Sequence, residues 1–215
     1  MKPLYLPLLA LVLVCAPPIS VQAQDTNEVY QSIDQLWDQV APPPVPELQE
    51  VMLNPEDTVL LVLDLEELTC NPERRPRCVQ GLYNTAYLIA QARKAGMPVV
   101  HSQTPKKTPF LPDVAPLPDE PVVASSVDKF WNTDLDDILQ SLGVKAVIVT
   151  GTAAHGAVLH TATAAGFRGY RVILPVDCLS AADLYTEQAS VQLLLTGPAT
   201  RSSIVLTRSD MVTFP

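Results

Sequence analysis

The chain is poor in positive charge, in long apolar runs and in histidine. Each deficit narrows what it can be. It carries 14 Lys and Arg against 23 Asp and Glu, a formal net charge of −9 over 215 residues. An acidic surface repels phosphate backbones and anionic lipid, so nucleic acid is not an expected partner. Beyond residues 4–14 no stretch approaches the roughly 20 apolar residues of a spanning helix, which predicts no transmembrane segment. The three histidines, His101, His155 and His160, form no Asp-x-His or His-x-x-x-His pattern. No metal site is therefore supported, and no cofactor is implied. Internal repeats are also absent, which excludes solenoid architectures.

What is present begins with a leader. Met1 and Lys2 open the chain, residues 4–14 are apolar, and Val21-Gln22-Ala23 supplies the small-x-small pattern of a signal peptidase site. Residues 1–23 read as a signal peptide and the mature chain as secreted or periplasmic. Cys15 invites a lipoprotein reading, but Val14 occupies the place where that signal wants a small residue. Cutting the leader removes only Lys2 among charged residues, leaving 13 basic against 23 acidic side chains. It also leaves Cys70, Cys78 and Cys178 in an oxidising compartment. Cys70 and Cys78 bracket a Pro- and Arg-rich loop. A disulfide is favoured there over two free thiols, although spacing alone does not fix connectivity.

Residues 24–50 form a distinct N-terminal segment. Val29, Tyr30, Ile33, Leu36, Trp37 and Val40 recur at helical spacing behind Asp25 and Thr26, predicting an amphipathic helix that needs a surface or a protein partner. A Pro-rich spacer follows at residues 41–46. The main domain, residues 51–215, alternates apolar β-rich runs (58–63, 98–101, 145–150, 170–175) with helical segments (78–95, 134–142, 155–167, 181–195). Continuous apolar strands alternating with helices predict a doubly wound α/β domain, Rossmann-like, with a mostly parallel sheet between two helical layers. Residues 103–121 contain six prolines and read as a long, functional surface loop.

Ligands of open parallel sheets gather beyond the carboxyl ends of the strands. That rule singles out Asp64, in Val-Leu-Asp-Leu-Glu-Glu at the end of an apolar run, as a turn residue or a catalytic carboxylate. It also singles out Asp128-Lys129-Phe130 and residues 149–162, where a buried strand runs into a helix start, with Val176-Asp177 at the end of the next strand. This ordered set resembles the isochorismatase-like superfamily across residues 58–207 and implies its three-layer fold.

The resemblance implies an acid/base at Asp64, a charge partner at Lys129 and a nucleophile position at residue 157. That position holds Ala157, which has no nucleophilic atom, so thiol-based amide hydrolysis is not expected. Isochorismatases proper also lack the thiol and protonate a vinyl ether with the Asp. Ala154-His155 resembles the pair they carry. Glu66 stands where many members have Gln. The Gly156 and Ala157 amides at a helix start could bind an anion, and with His155 and Glu66 they are the expected ligand contacts. The resemblance further implies a cis peptide at Thr152-Ala153 and a homo-oligomer. His155 reads equally as a helix cap, His160 as a packed or surface residue, and Cys178 as a buried apolar thiol rather than a relocated nucleophile. Two functions stand open: a thiol-independent hydrolase acting on a small organic substrate, or a catalytically inactive relative that binds a small carboxylate ligand or a protein.

Overall fold

The computed structural model describes residues 30–215. Residues 1–23, expected to be a signal peptide and including Cys15, and the first residues of the expected N-terminal helix lie outside the described residues. The chain divides into two units, Met1–Pro42 and Pro43–Pro215. In the first, the described residues form turns and a single 3-10 turn, Trp37–Gln39, in place of the expected amphipathic helix. Local bonds compete with the helix: the Ser32 N–H donates to Gln35 Oε1 at 2.9 Å, and the Gln35 N–H donates back to Ser32 O at 3.0 Å. So short a segment is also marginal as an isolated helix.

Pro43–Pro215 is built on parallel strands. In chain order they are β1 (Val51–Met52), β2 (Thr58–Leu63), β3 (Val99–Gln103), β4 (Val122–Ala124), β5 (Ala146–Thr152), β6 (Arg171–Pro175), β7 (Leu179–Ser180), β8 (Ile204–Thr207) and β9 (Val212–Thr213). The main sheet runs β4-β3-β2-β5-β6-β8 with every pairing parallel, and β7 adds to the end of β5. A separate parallel pair joins β1 to β9. The helices are α1 (Pro76–Lys94), α2 (Leu135–Ser141), α3 (Leu159–Phe167) and α4 (Leu184–Thr196). Pro43–Glu50, read from sequence with the N-terminal segment, packs with this unit: Leu48 lies on its core and the Gln49 N–H donates to Leu206 O at 2.9 Å.

β2 is buried at all six positions, as a strand between two helical layers must be. Its side chains alternate between two cores. Val59, Leu61 and Leu63 join Leu135, Leu139, Ala162 and Leu194 on the face covered by α2, α3 and α4. Leu60 and Val62 join Leu88, Ile89 and Ala92 of α1 on the other. Each fully buried Leu, Ile or Val here contributes roughly 1.5–3 kcal/mol of transfer free energy. Helix α1 starts on Pro76, whose missing N–H costs nothing at a first turn, and ends on Arg93 and Lys94, which complement the dipole.

Chain order reverses between β2 and β5, because β3 and β4 lie on one side and β6 and β8 on the other. At this switch Leu63 and Gly151 are in register. Gly151 has φ of +115°, and a Cβ there would sit 2.0 Å from Leu63 O, so only glycine lets the two strand ends approach this closely. The residues that follow both ends, Asp64 and the Ala154–Val158 turn, are thereby set at the same rim of the sheet.

Candidate active site

Asp64 leaves β2 with φ of +53°, a left-handed conformation that aspartate tolerates better than most residues. Its N–H donates to Ser102 O at 3.1 Å, and the Thr69 hydroxyl donates to its carbonyl, so the turn is held from both sides. The carboxylate is 3% exposed as a residue. Its Oδ2 lies 2.7 Å from Lys129 Nζ, and its Oδ1 accepts from the Ser102 hydroxyl at 2.7 Å. Lys129 is fully buried and donates also to Ser125 O at 2.8 Å and Ser126 O at 2.9 Å. All three of its ammonium donors are thus used. Burial pushes the Asp64 carboxyl above its usual range; Lys129 and Ser102 pull it down and Glu66 adds to the rise, with burial dominant.

Lys129 is positioned from two elements. Its N–H donates to Thr161 Oγ1 of α3 at 3.2 Å, and Thr161 Oγ1 donates in turn to Val127 O at 3.4 Å. Thr161 stands one helical turn beyond Ala157, on the same face. Ala157 is buried within a π-helical turn, Ala154–Val158, that precedes α3. The Thr152–Ala153 peptide is cis. The Gly156 and Val158 N–H groups both donate to Ala153 O, at 2.9 and 3.2 Å. The Gly156 amide is therefore engaged within the turn rather than held free for an anion.

Glu66 is fully buried and packs beneath residues 103–121. Its Oε1 accepts from the Thr104 N–H at 3.0 Å, while its Oε2 and the Thr104 hydroxyl are buried without a partner. The loop is laced to this segment: the Glu67 N–H donates to Pro109 O at 2.9 Å, the Leu111 N–H to Leu65 O at 3.1 Å and the Leu68 N–H to Thr108 Oγ1 at 3.1 Å. The far end of the loop is anchored by Glu120, which receives Arg93 in a two-pronged ion pair at 2.8 and 2.7 Å and His101 Nε2 at 3.0 Å. Burial drives the His101 pKa down to about 4 despite the carboxylate beside it. Cys70 and Cys78 form a disulfide that closes the loop between Asp64 and α1. Within that loop Arg75 donates to Thr69 O at 2.8 Å.

The structure joins Asp64 to Lys129 and places Glu66 two residues further on, in the same buried turn. It does not bring His155 into that buried turn: the side chain is exposed, and its charge acts on Asp183, the cap of α4. His160 is exposed on α3, and Cys178 is a buried free thiol whose pKa burial raises. Among the described residues no group of three or more His, Cys, Asp or Glu side chains is placed to hold a metal, and no helix is long and apolar enough to cross a membrane. Ser102, a direct partner of Asp64, was not foreseen. Its role is set by the end of β3, which lies in register with Leu63 across the sheet.

Compared with known proteins, residues 58–204 match the isochorismatase domain family. A streptothricin hydrolase of Streptomyces noursei is 35% identical over 139 residues, 58% of this chain and 55% of that protein. The chain thus spans about half the length of the streptothricin hydrolases it matches. A secreted isochorismatase effector of Verticillium dahliae is 26% identical over 143 residues, 60% of this chain and 75% of that one. Among solved structures, a cysteine hydrolase from Pseudomonas syringae pv. phaseolicola superposes with a TM-score of 0.68 at 19% identity, covering 77% of this chain and 94% of that one. That likeness is one of fold.

Proposed function

The chain belongs to the isochorismatase family, and on that premise we propose that it is an exported, thiol-independent hydrolase of a small organic substrate, with Asp64 as acid/base and Lys129 as its charge partner. The observation that supports this most is the buried Asp64–Lys129 pair at 2.7 Å, placed at the switch of the sheet with Ser102 on the other carboxylate oxygen. A carboxyl raised by burial keeps its proton to higher pH, the property a general acid needs. In the reaction proposed, Asp64 protonates the terminal carbon of a vinyl ether, water adds to the oxocarbenium ion, and the hemiketal so formed collapses to a carbonyl, breaking the ether C–O bond as its own hydroxyl proton passes to the departing alcohol. The proton released by that water returns to Asp64. Lys129 steadies the carboxylate formed between these steps. Ala157, at the nucleophile position of the family's amidases, takes no covalent part.

Export is part of the same reading. It is supported by the leader at residues 1–23, by the Cys70–Cys78 disulfide and by the secreted relative. A homo-oligomer and a protein partner for the N-terminal segment belong to it as well, and size-exclusion chromatography of the mature chain tests both. The hydrolase relatives favour this reading over an inactive ligand binder.

The deciding experiment is turnover of isochorismate, simple vinyl ethers and small amides by the mature chain, before and after iodoacetamide. Hydrolysis of a vinyl ether should survive alkylation and fall about 100- to 10,000-fold in Asp64→Asn. Turnover that alkylation abolishes, or that Asp64→Asn leaves intact, would overturn the proposal.

A further inference from the structure

Three acidic residues are buried among the described residues: Asp64, Glu66 and Glu187. Asp64 has Lys129 at 2.7 Å and Glu187 has Arg77 at 2.6 Å. Glu66, the most deeply buried of the three, has no cation within salt-bridge reach. One of its oxygens takes the Thr104 N–H, and the other is buried without a partner, as is the hydroxyl of that same Thr104. An isolated buried carboxylate is costly, and the usual compensation is an opposite charge with N–H donors. The protein supplies that compensation at its two other buried acids and withholds it here, two residues from Asp64.

We propose that Glu66 Oε2, with Thr104 Oγ1, receives a cationic nitrogen group of the substrate, an ammonium or guanidinium, and so selects positively charged substrates for the Asp64 site. This rests on the reading of Asp64 and Lys129 as the reactive pair, and it adds the substrate's charge. The group must present N–H donors, because both waiting atoms are oxygens and a carboxylate only accepts. Glu66 is reached when residues 103–121 lift from the Leu65–Leu68 segment. The acidic surface, at net charge −9, draws cations toward the protein beforehand.

The test is calorimetric binding to the mature chain at neutral pH, using γ-aminobutyramide and γ-guanidinobutyramide as cationic probes and valeramide as the uncharged one. Wild type should bind a cationic amide about 10- to 100-fold more tightly than valeramide, the range of a charge-assisted hydrogen bond. Glu66→Gln should bring the probes to the same Kd, and Asp64→Asn should keep the preference while losing turnover. That last arm separates failure of this inference from failure of the hydrolase reading. Wild type without a preference, no detectable binding of either cationic amide at millimolar concentration, or a preference that persists in Glu66→Gln would each overturn it. Should Glu66→Gln melt early, Thr104→Val, which removes only a hydroxyl, must still reduce the preference.

Discussion

Lys129→Met separates the buried pair with little change of volume. The side chain removed touches Asp64 Oδ2 at 2.7 Å and two carbonyls, Ser125 O and Ser126 O, at 2.8 and 2.9 Å, with no exposure to water. Removing one partner of a buried pair costs about 3–5 kcal/mol, because the other charge stays behind uncompensated. The loss should depend on pH in a definite direction. Burial already holds the Asp64 carboxyl above its ordinary value, and loss of the ammonium raises it further. A raised carboxyl keeps its proton in the folded state while the unfolded chain releases it. The folded state therefore binds more protons, and stability falls as pH rises through this window. Relative to wild type, the variant's deficit should be smallest near pH 4 and grow by at most about 1.4 kcal/mol per pH unit. Urea unfolding at about pH 4, 5.5 and 7 measures it, with Asp64→Asn/Lys129→Met as the pH-insensitive control. A deficit under about 1 kcal/mol, or one equal at all three pH values, would refute the reasoning.

Other expectations follow from the same geometry. Cys70→Ala/Cys78→Ala opens a cross-link of sequence separation 8 and should cost about 2.5 kcal/mol on the chain-entropy relation; alkylation of the unreduced, unfolded chain lacking residues 1–23 should label Cys178 alone. His101, with its pKa lowered to about 4 by burial, should stay neutral between pH 5 and 7. Since the unfolded chain takes up that proton first, the residue adds stability as pH rises from about 4 to 6.5, worth about 3 kcal/mol in all; an NMR ring titration with a midpoint above 6 would contradict this. Ala157→Cys packs a sulfur into a core slot and should cost about 1–3 kcal/mol. Its thiol should react with iodoacetamide faster than Cys178, at a rate altered by Asp64→Asn, and two equally inert thiols would count against a retained hydrolase site.

Legibility in the sequence tracked how local the determining interaction was. Strand β2 matches its predicted bounds, 58–63, because six consecutive buried residues leave an unbroken apolar run. Helix α1 shifts by two residues, since Pro76 is a good first-turn residue that pattern alone left outside. Strands β1, β7 and β9 are two residues each and have no periodicity to read. Val122–Ala124 and Ile204–Thr207 lie outside the strands read from the sequence, for both become strands only through a neighbour in register. At the site, Asp64 and Lys129 were named from their motifs and are in contact. Ser102 escaped because a serine after a histidine carries no local signal, and its role comes from lying across the sheet from Leu63. The expected free Gly156 amide failed for a geometric reason: the π-helical turn directs that N–H to Ala153 O.

The lacing of residues 103–121 onto Leu65–Leu68 also governs how this part of the molecule breathes. The amides of Glu67, Leu68 and Leu111 find their acceptors across the same seam, so none can meet solvent unless the seam parts. In hydrogen–deuterium exchange they should behave as one unit with a shared opening free energy, below that of the β2 and β5 amides at the centre of the sheet. At its far end Arg93 and His101 hold Glu120, tying the loop's return to α1 and β3. The seam at Thr108–Leu111 pairs with the Glu66 segment itself, so its opening is the event that would bring the most deeply buried acid among the described residues toward solvent.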